Sequence, residues 1–194
     1  MINIYFIRHA QTEHSGKGYI ALDVDSPISN EGINNCKENC FKKEMFDNVY
    51  VSPTKRAKQT AKFLYPYKDA KETKLIAQKK QGEISGHFRD EYDEEYLDKL
   101  RNYEIIPNGA EDIETVLKRV NRFLDLVIKE NPNTSNVLTI THNGIMRIIA
   151  KHFGGLDLYL NSKHLEGFII KLNPKTKSTK LIKKVKLSNW YNYL

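Results

Sequence analysis

Two histidines follow apolar runs that have the right length for buried strands. Residues 2–7 read INIYFI and end at Arg8 and His9, and residues 136–141 read NVLTIT and end at His142. Short runs rich in β-branched and aromatic residues are typical of strands in a parallel sheet. Because reactive groups collect at the carboxyl ends of such strands, we expect the two imidazoles to lie side by side with the arginine between them. This combination indicates a site for an anion, and a phosphoryl group fits it.

A histidine can attack phosphorus when one ring nitrogen is unprotonated and faces the substrate. At a strand end, a nearby backbone carbonyl can accept the other N–H of His9 and fix the tautomer. The phosphoryl oxygens need cations at fixed positions, and the planar guanidinium of Arg8 matches their geometry. Arg56 is the second candidate, because Ser52 and Pro53 predict a helix N-terminus just before it, with serine as the cap and proline in the first turn. Free N–H groups and the helix dipole favour an anion there.

The elements that must position these side chains alternate along the chain. The patterns predict strands at residues 2–7, 48–51, 137–141, 167–172 and 179–187, and helices at residues 29–43, 52–66, 91–103, 111–129 and 144–153. Such alternation predicts an α/β fold, a three-layer α/β/α sandwich with a mostly parallel central sheet. We expect one domain over residues 1–194, in which the last two strands form a pair at the sheet edge. Residues 78–107 interrupt the alternation of strands and helices, and we expect them to form a small cap insertion over the site.

Composition excludes several classes of protein. The chain has 194 residues, of which 40% are hydrophobic and 28% charged, which argues against general disorder. No apolar stretch approaches the roughly 20 residues of a membrane helix, and the N-terminus lacks the features of a signal peptide. We therefore expect a cytoplasmic protein with no membrane contact. Cys36 and Cys40 supply at most half of a metal site, so we interpret them as two reduced cysteines.

The net charge of +7 raises the question of a nucleic-acid partner. The lysines are scattered, however, and their densest group near the C-terminus partly alternates with apolar residues, as on the solvated face of a sheet edge. We therefore expect no nucleic-acid partner. A basic chain would still attract anionic substrates toward the site.

Five blocks of sequence occur in an order that resembles the histidine phosphatase superfamily, which has the phosphoglycerate-mutase-like fold. RHAQTE resembles the opening R-H-G-x-T signature, with Ala10 where glycine is usual, and SPTKRAKQTA resembles the block that carries the second arginine. The five blocks are RHAQTE (8–13), DSPIS followed by EG (25–32), SPTKRAKQTA (52–61), PNGAED (107–112) and VLTITHNG (137–144). The resemblance covers nearly the whole chain.

The resemblance implies a mechanism that agrees with the reading from the residues. His9 would attack phosphorus and become phosphohistidine, while His142 and the two arginines hold the phosphoryl oxygens. A carboxylic acid would protonate the leaving oxygen and then activate water. No metal or other cofactor is needed. The substrate-binding residues in the matching blocks are Arg8, Arg56, Thr12 and Asn143.

The position of the acid is open between two alignments. The family usually has L-x-E followed by G-x-W-E-G. Aligning Gly82 and Gly86 without a gap puts the acid position on Gln78, which cannot donate a catalytic proton. One deletion instead aligns EISGHF with E-x-x-x-G-x-W and puts the acid at Glu83, the assignment that we favour.

Some residues depart from the pattern or have no assigned role. Ser15 stands where many members have an asparagine that contacts the phosphoryl group. His87, His152 and His164 are predicted to be structural or solvent-exposed. Arg147, one helical turn beyond the second histidine, is predicted to be an ion-pair partner rather than a ligand.

The favoured function is a phosphomonoesterase acting on a small phosphorylated metabolite. A phosphoglycerate mutase ranks lower, because mutases of this family tend to be longer and carry W-N after the first motif, which is absent here. A phospho-ligand-binding pseudoenzyme would follow if Gln78 fills the acid position. A phosphatase of phosphohistidine proteins needs an open site, which the predicted cap disfavours.

Overall fold

The computed structural model describes residues 1–20, 25–154 and 162–185. Six strands form one sheet in the order β3-β2-β4-β1-β5-β6. The strands are β1 (Ile2–Arg8), β2 (Asn48–Val51), β3 (Lys71–Glu72), β4 (Asn136–Thr141), β5 (Gly167–Leu172) and β6 (Thr179–Val185). The helices are α1 (Asn30–Glu38), α2 (Lys55–Leu64), α3 (Glu94–Asn102), α4 (Ile113–Glu130) and α5 (Asn143–Gly154). Three short 3-10 helices lie between β3 and α4, at Lys74–Ile76, Gly82–Ile84 and Arg89–Glu91.

The strand directions confirm the predicted sheet. β1 pairs in parallel with β4, β4 with β2, and β2 with β3, whereas β5 runs antiparallel to both β1 and β6. The last two strands form the predicted edge pair, and residues 186 and 187 of that prediction lie outside the described residues. In the β1–β4 register Arg8 pairs with Thr141, so both histidines leave the sheet at the same edge.

Apolar side chains fill both faces of the sheet, which gives the three layers. Along β1, Ile4 and Phe6 face one cluster, which α4 and α5 cover, and Tyr5 and Ile7 face the other, which α1 and α2 cover. Successive side chains of a strand point to opposite faces. A strand buried on both faces is therefore apolar at nearly every position, which explains the run at the start of the sequence, where the partly buried Asn3 is the exception before Arg8.

Helix α4 confirms the prediction from its apolar period. Its buried residues are Val116, Val120, Phe123, Leu124 and Val127. The Asp112 carboxylate accepts the backbone N–H of Thr115 at 2.6 Å and caps the helix. The described residues contain no helix that is long and apolar enough to cross a bilayer.

Several helix boundaries differ from the prediction by two residues or more, and two of them affect the core and the site. Helix α1 ends at Glu38 rather than near residue 43, and the chain turns there so that Phe41 and Met45 pack into the core. Helix α2 begins at Lys55 rather than at Ser52, and Thr54 is its N-cap. Ser52 instead continues the strand, because its backbone N–H donates to the carbonyl of Ile140 at 3.0 Å. Its hydroxyl is thereby directed into the site.

The stretch between β3 and α4 packs against the loop that follows β1. The rings of Tyr19 and Phe88 stack with centroids 4.4 Å apart, and the two residues form an isolated antiparallel bridge. Contact with that loop brings this stretch next to the carboxyl edge of the sheet.

Candidate active site

The structure brings His9 and His142 together at the carboxyl edge of the sheet. Their ring centroids lie 5.1 Å apart. The backbone N–H of His9 donates to the carbonyl of Thr141 at 2.9 Å, which extends the β1–β4 pairing by one residue. Both side chains are buried, so their chemistry takes place away from bulk water.

His9 is held in one orientation by the backbone. Its Nδ1 lies 2.8 Å from the carbonyl oxygen of Ala10, and the N–H of Ala10 in turn donates to Thr60 Oγ1 at 2.9 Å. With Nδ1–H donating to the carbonyl, Nε2 keeps its lone pair. Burial, and then the neighbouring His142 and the positive charges of Arg56 and Arg8, place the pKa of His9 well below its ordinary value. The ring is therefore neutral at neutral pH, with a free lone pair on Nε2.

His142 has one nitrogen bonded and one available. Its Nε2 lies 2.7 Å from Ser52 Oγ, whereas its buried Nδ1 has no hydrogen-bond partner within the part of the chain that the structure describes. Burial and the nearby Arg56 and Arg8 place the pKa of His142 well below its ordinary value as well. If the Ser52 hydroxyl donates to Nε2, then Nδ1 carries the hydrogen and can donate to an oxyanion.

Two guanidinium groups flank the imidazoles. Arg8 Nη1 donates to the carbonyl of Ser162 at 2.7 Å, and no described residue forms a hydrogen bond with its buried Nε. Burial, followed by the charges of Arg56 and Arg89, lowers the pKa of Arg8 to about 10, so the group stays charged at neutral pH. Arg56 is buried in the first turn of α2, and its Nη2 donates to Gln78 Oε1.

The loop after β1 completes one wall of the site. The backbone N–H of Thr12 donates to Ser15 Oγ at 2.9 Å, and that oxygen lies 3.2 Å from His164 Nε2. The His164 ring lies 5.6 Å from that of His9. Asn143 also lines the cavity, and its Oδ1 accepts the N–H of Ser162 at 3.2 Å.

The position of His164 differs from the prediction that it is structural or exposed. It precedes β5, and β5 runs antiparallel to β1 with Gly167 opposite Ile7. The beginning of an antiparallel strand lies at the same edge as the ends of its parallel neighbours. An antiparallel assignment for β5 would therefore have placed His164 near the two other histidines. Burial lowers its pKa to about 4.

These side chains line one cavity of about 560 Å³, a size suited to a small ligand. No aspartate or glutamate is among the described residues that line it. The charged or titratable side chains in its wall are Arg8, His9, His14, Tyr19, Arg56, Lys79, Arg89, Arg101, Tyr103, His142, Arg147 and His164. The cavity therefore attracts anions.

The structure does not bring Glu83 into this cavity, in contrast to the alignment that we favoured. Glu83 is exposed, and its carboxylate accepts the backbone N–H of Asn108 at 3.3 Å. The backbone turns at Gly82, which has φ +65°, and a Cβ there would lie 2.1 Å from the carbonyl oxygen of Asn108. This close approach directs Glu83 toward the turn at Asn108. Gln78 lines the cavity beside Arg56 instead.

The chain around Gln78 is anchored by helix α4. Arg119 donates through Nη1 to the carbonyls of Leu75 and Ala77 at 3.0 and 2.9 Å, and it forms an ion pair with Glu111 that is largely shielded from solvent. Glu111 also accepts the backbone N–H of Lys80 at 2.9 Å. The two residues that enter the cavity, Gln78 and Lys79, are thus fixed on both sides.

Arg147 was predicted to be an ion-pair partner, and it lines the cavity. Its Nη2 donates to the carbonyl of Arg101 at 2.7 Å. His87 and His152 are exposed, as predicted. Among the described residues, no group of three or more histidine, cysteine, aspartate or glutamate side chains is arranged to hold a metal ion.

Comparison with known proteins gives concordant results. The model of the histidine phosphatase superfamily (branch 1) matches residues 4–172. A putative phosphoserine phosphatase 2 from Hydrogenobacter thermophilus is 28% identical over 170 residues, which cover 81% of each chain. A fructose-2,6-bisphosphatase from Saccharomyces cerevisiae is 29% identical over 198 residues, which cover 93% of this chain and 41% of the yeast protein.

Solved structures show the same fold. A phosphoserine phosphatase mutant from Entamoeba histolytica in complex with phosphoserine has a TM-score of 0.82 at 18% identity, covering 98% of this chain and 100% of that one. A phosphoglycerate mutase from Bacillus anthracis has a TM-score of 0.80 at 18% identity, covering 96% and 94%. At these identities the likeness concerns the arrangement of the elements.

Proposed function

This chain belongs to the histidine phosphatase superfamily and is a phosphohydrolase of that type. On this premise, we propose that it hydrolyses a small phosphorylated metabolite through a phosphohistidine on His9. One observation carries the proposal. Two buried imidazoles with centroids 5.1 Å apart lie beside Arg8 and Arg56 in a cavity whose described lining has no carboxylate. Such a cavity suits a group that brings its own negative charge.

In the first step, the lone pair of His9 Nε2 attacks phosphorus and the bond to the leaving oxygen breaks. The guanidinium groups of Arg8 and Arg56 and the Nδ1–H of His142 hold the phosphoryl oxygens. These groups are already in position, so they stabilise the charge that develops in the transition state without reorganisation. In the second step, water attacks the phosphohistidine, the P–N bond breaks, and inorganic phosphate leaves.

The leaving oxygen needs a proton, and the described cavity lining offers no carboxyl group for this purpose. We propose that water supplies this proton and that the attacking water returns one in the second step. A positioned general acid contributes about 10²- to 10⁴-fold to such a reaction. Without one, aryl phosphates, which have good leaving groups, should react faster than alkyl phosphates by about the same factor.

We also propose that residues 78–107 act as a cap. This segment contributes Gln78, Lys79, Arg101 and Tyr103 to the cavity lining, which supports a small substrate over a protein substrate. Cys36 and Cys40 are both free thiols, in keeping with a reducing compartment, and we propose that the protein works in the cytoplasm.

The test is release of phosphate from an aryl phosphate at mildly acidic pH, with His9→Ala as the control. We expect turnover by the wild type and a loss of at least about 10³-fold in the variant. Acid-labile phosphate on His9, trapped by rapid quenching and located by mass spectrometry, would identify the intermediate. Binding of phosphate without turnover by the wild type would contradict the proposal and favour a phospho-ligand-binding pseudoenzyme. Transfer to an added alcohol in place of water would favour a mutase.

A further inference from the structure

Lys79 is a buried cation that faces an aromatic ring rather than a carboxylate among the described residues. Its side chain is only 6% exposed and lines the same cavity as His9. In the described part of the chain, no hydrogen bond or ion pair involves its ammonium group, whose recorded contact is the ring of Tyr103, 5.4 Å from the centroid. Burial lowers the pKa of Lys79, and the more distant Glu111 and Asp112 partly oppose that shift. A buried charge without a hydrogen-bonded partner is costly, so an anionic ligand would stabilise it.

Tyr103 connects Lys79 to the first turns of α5. Its hydroxyl donates to the carbonyl of Gly144 at 3.3 Å. Burial raises the pKa of Tyr103, and the nearby charge of Arg147 opposes part of that rise. Lys79 and Arg147 therefore lie around the same tyrosine, and both line the cavity. Arg101, which also lines it, is engaged with Glu94 and Asp98.

This pair of cations is separate from the pair that flanks the histidines. The charges that lower the pKa of His9 belong to His142, Arg56 and Arg8. The charges that act on Lys79 are those of the more distant Glu111 and Asp112, with which it forms no ion pair among the described residues. Lys79 packs over the ring of Tyr103, which bonds to the first turn of α5, and Lys79, Tyr103 and Arg147 all line the cavity. These residues therefore offer positive charge to a part of the ligand other than the phosphoryl group.

We propose that Lys79, assisted by Arg147, binds a second anionic group on the alcohol part of the substrate. The substrate class is then a phosphomonoester that also carries a carboxylate or a second phosphate. This inference rests on the proposed phosphatase function, since it concerns the leaving part of the ester. Recognition of a phosphate or carboxylate by a buried ammonium is charge-assisted and strong.

The test uses three esters that share a three-carbon chain: propyl phosphate, the phosphate ester of 3-hydroxypropionate, and propane-1,3-diol bisphosphate. We expect the wild type to prefer at least one of the two doubly functionalised esters over propyl phosphate by about 30-fold or more in kcat/KM. Lys79→Met should reduce that ratio to within about threefold, and Lys79→Arg should restore part of it. The preferred ester identifies the second anion as a carboxylate or a phosphate.

Lys80→Met is the matched control, because Lys80 is the exposed neighbour of Lys79 and should leave the ratio unchanged. Equal wild-type rates on all three esters would overturn the proposal. An equal loss on all three esters in Lys79→Met would also overturn it, since a proton donor or a structural residue would act on every ester alike.

A binding measurement separates this inference from the proposed function. Calorimetric titration of His9→Ala with each of the three esters needs no turnover. If the wild type hydrolyses none of the three esters, the proposed function fails. The second subsite would still be supported if His9→Ala binds a doubly anionic ester more tightly than propyl phosphate, and if the double variant His9→Ala, Lys79→Met loses that preference. Equal affinity for all three esters would refute it.

Discussion

The two central histidines differ in what holds them. His9 is oriented by a backbone carbonyl, which does not change its protonation state, whereas His142 is oriented by the hydroxyl of Ser52. A hydroxyl can donate or accept, so the tautomer of His142 depends on Ser52 donating. Only the tautomer with hydrogen on Nδ1 offers a donor to a phosphoryl oxygen.

Ser52→Ala should therefore weaken the binding of inorganic phosphate. The substitution leaves Nε2 of His142 buried and unpaired. The hydrogen of the imidazole is then no longer held on Nδ1, where it can be donated to phosphate. A loss of about 1–3 kcal/mol, or roughly tenfold or more in Kd, is expected from calorimetry at pH 7. Ser135→Ala is the matched control, because Ser135 is a buried serine outside the cavity lining whose hydroxyl donates to the carbonyl of Pro132. Unchanged affinity in Ser52→Ala would show that Ser52 does not set the tautomer.

Glu83→Gln should leave hydrolysis of an alkyl phosphate within about twofold of the wild type. An exposed carboxylate that accepts the N–H of Asn108 cannot also bond to a leaving oxygen in the cavity. The measurement is kcat on an alkyl ester, where protonation of the leaving group matters most. A fall of about 10²-fold would mean that the loop carries Glu83 into the cavity when substrate binds.

At the scale of the elements, the backbones of β1 and β5 approach each other closely at Gly167. A Cβ at this position would lie 1.8 Å from the carbonyl oxygen of Phe6. Backbone atoms on the neighbouring strand cannot move away without breaking the pairing.

Gly167→Ala should therefore destabilise the protein by about 3 kcal/mol or more, measured as the free energy of unfolding in urea. Gly144→Ala is the control, because its added Cβ would meet only Lys79 Cβ at 3.9 Å, and alanine is the better residue in a helix. A small effect of Gly167→Ala would mean that β1 and β5 can separate at little cost.

The sequence could predict those site residues that lie at the ends of strands or helices with a clear apolar run or capping signal. The apolar runs of β1 and β4 predicted where His9 and His142 lie, and the serine-proline pair predicted Arg56 near a helix start. Lys79 and His164 depend instead on tertiary packing. Lys79 lies in a stretch without periodicity that Arg119 anchors from a distant helix, and His164 enters the site because β5 is antiparallel. No local signal carries either fact.

The whole molecule should become less stable as the pH falls below about 6.5. His9, His142 and His164 all have pKa values lowered by burial and neighbouring cations. Above pH 6.5 they are neutral in both the folded and the unfolded chain. Below it, the unfolded chain takes up protons that the folded chain cannot, and this difference favours unfolding.

The measurement is the free energy of unfolding between pH 7.5 and pH 4.5, with and without phosphate. Stability should decline through this range, and His164→Gln should make the decline less steep, because the pKa of His164 is about 4 in the folded chain. Added phosphate binds the folded state and should offset part of the loss. A stability that rises on acidification from pH 6.5 would contradict the assignment of buried neutral imidazoles.

The cavity lining is rich in arginine and, among the described residues, contains no aspartate or glutamate. The groups that hold the phosphoryl oxygens of the ester can therefore also hold the orthophosphate that the reaction releases. Orthophosphate carries the same oxygens as the ester and meets the same guanidinium groups, so it competes for the empty enzyme. Progress curves should bend as orthophosphate accumulates, and sulfate salts should slow the reaction by occupying the same positions. The rate would then follow the local ratio of ester to orthophosphate, which ties the enzyme to the phosphate status of its surroundings.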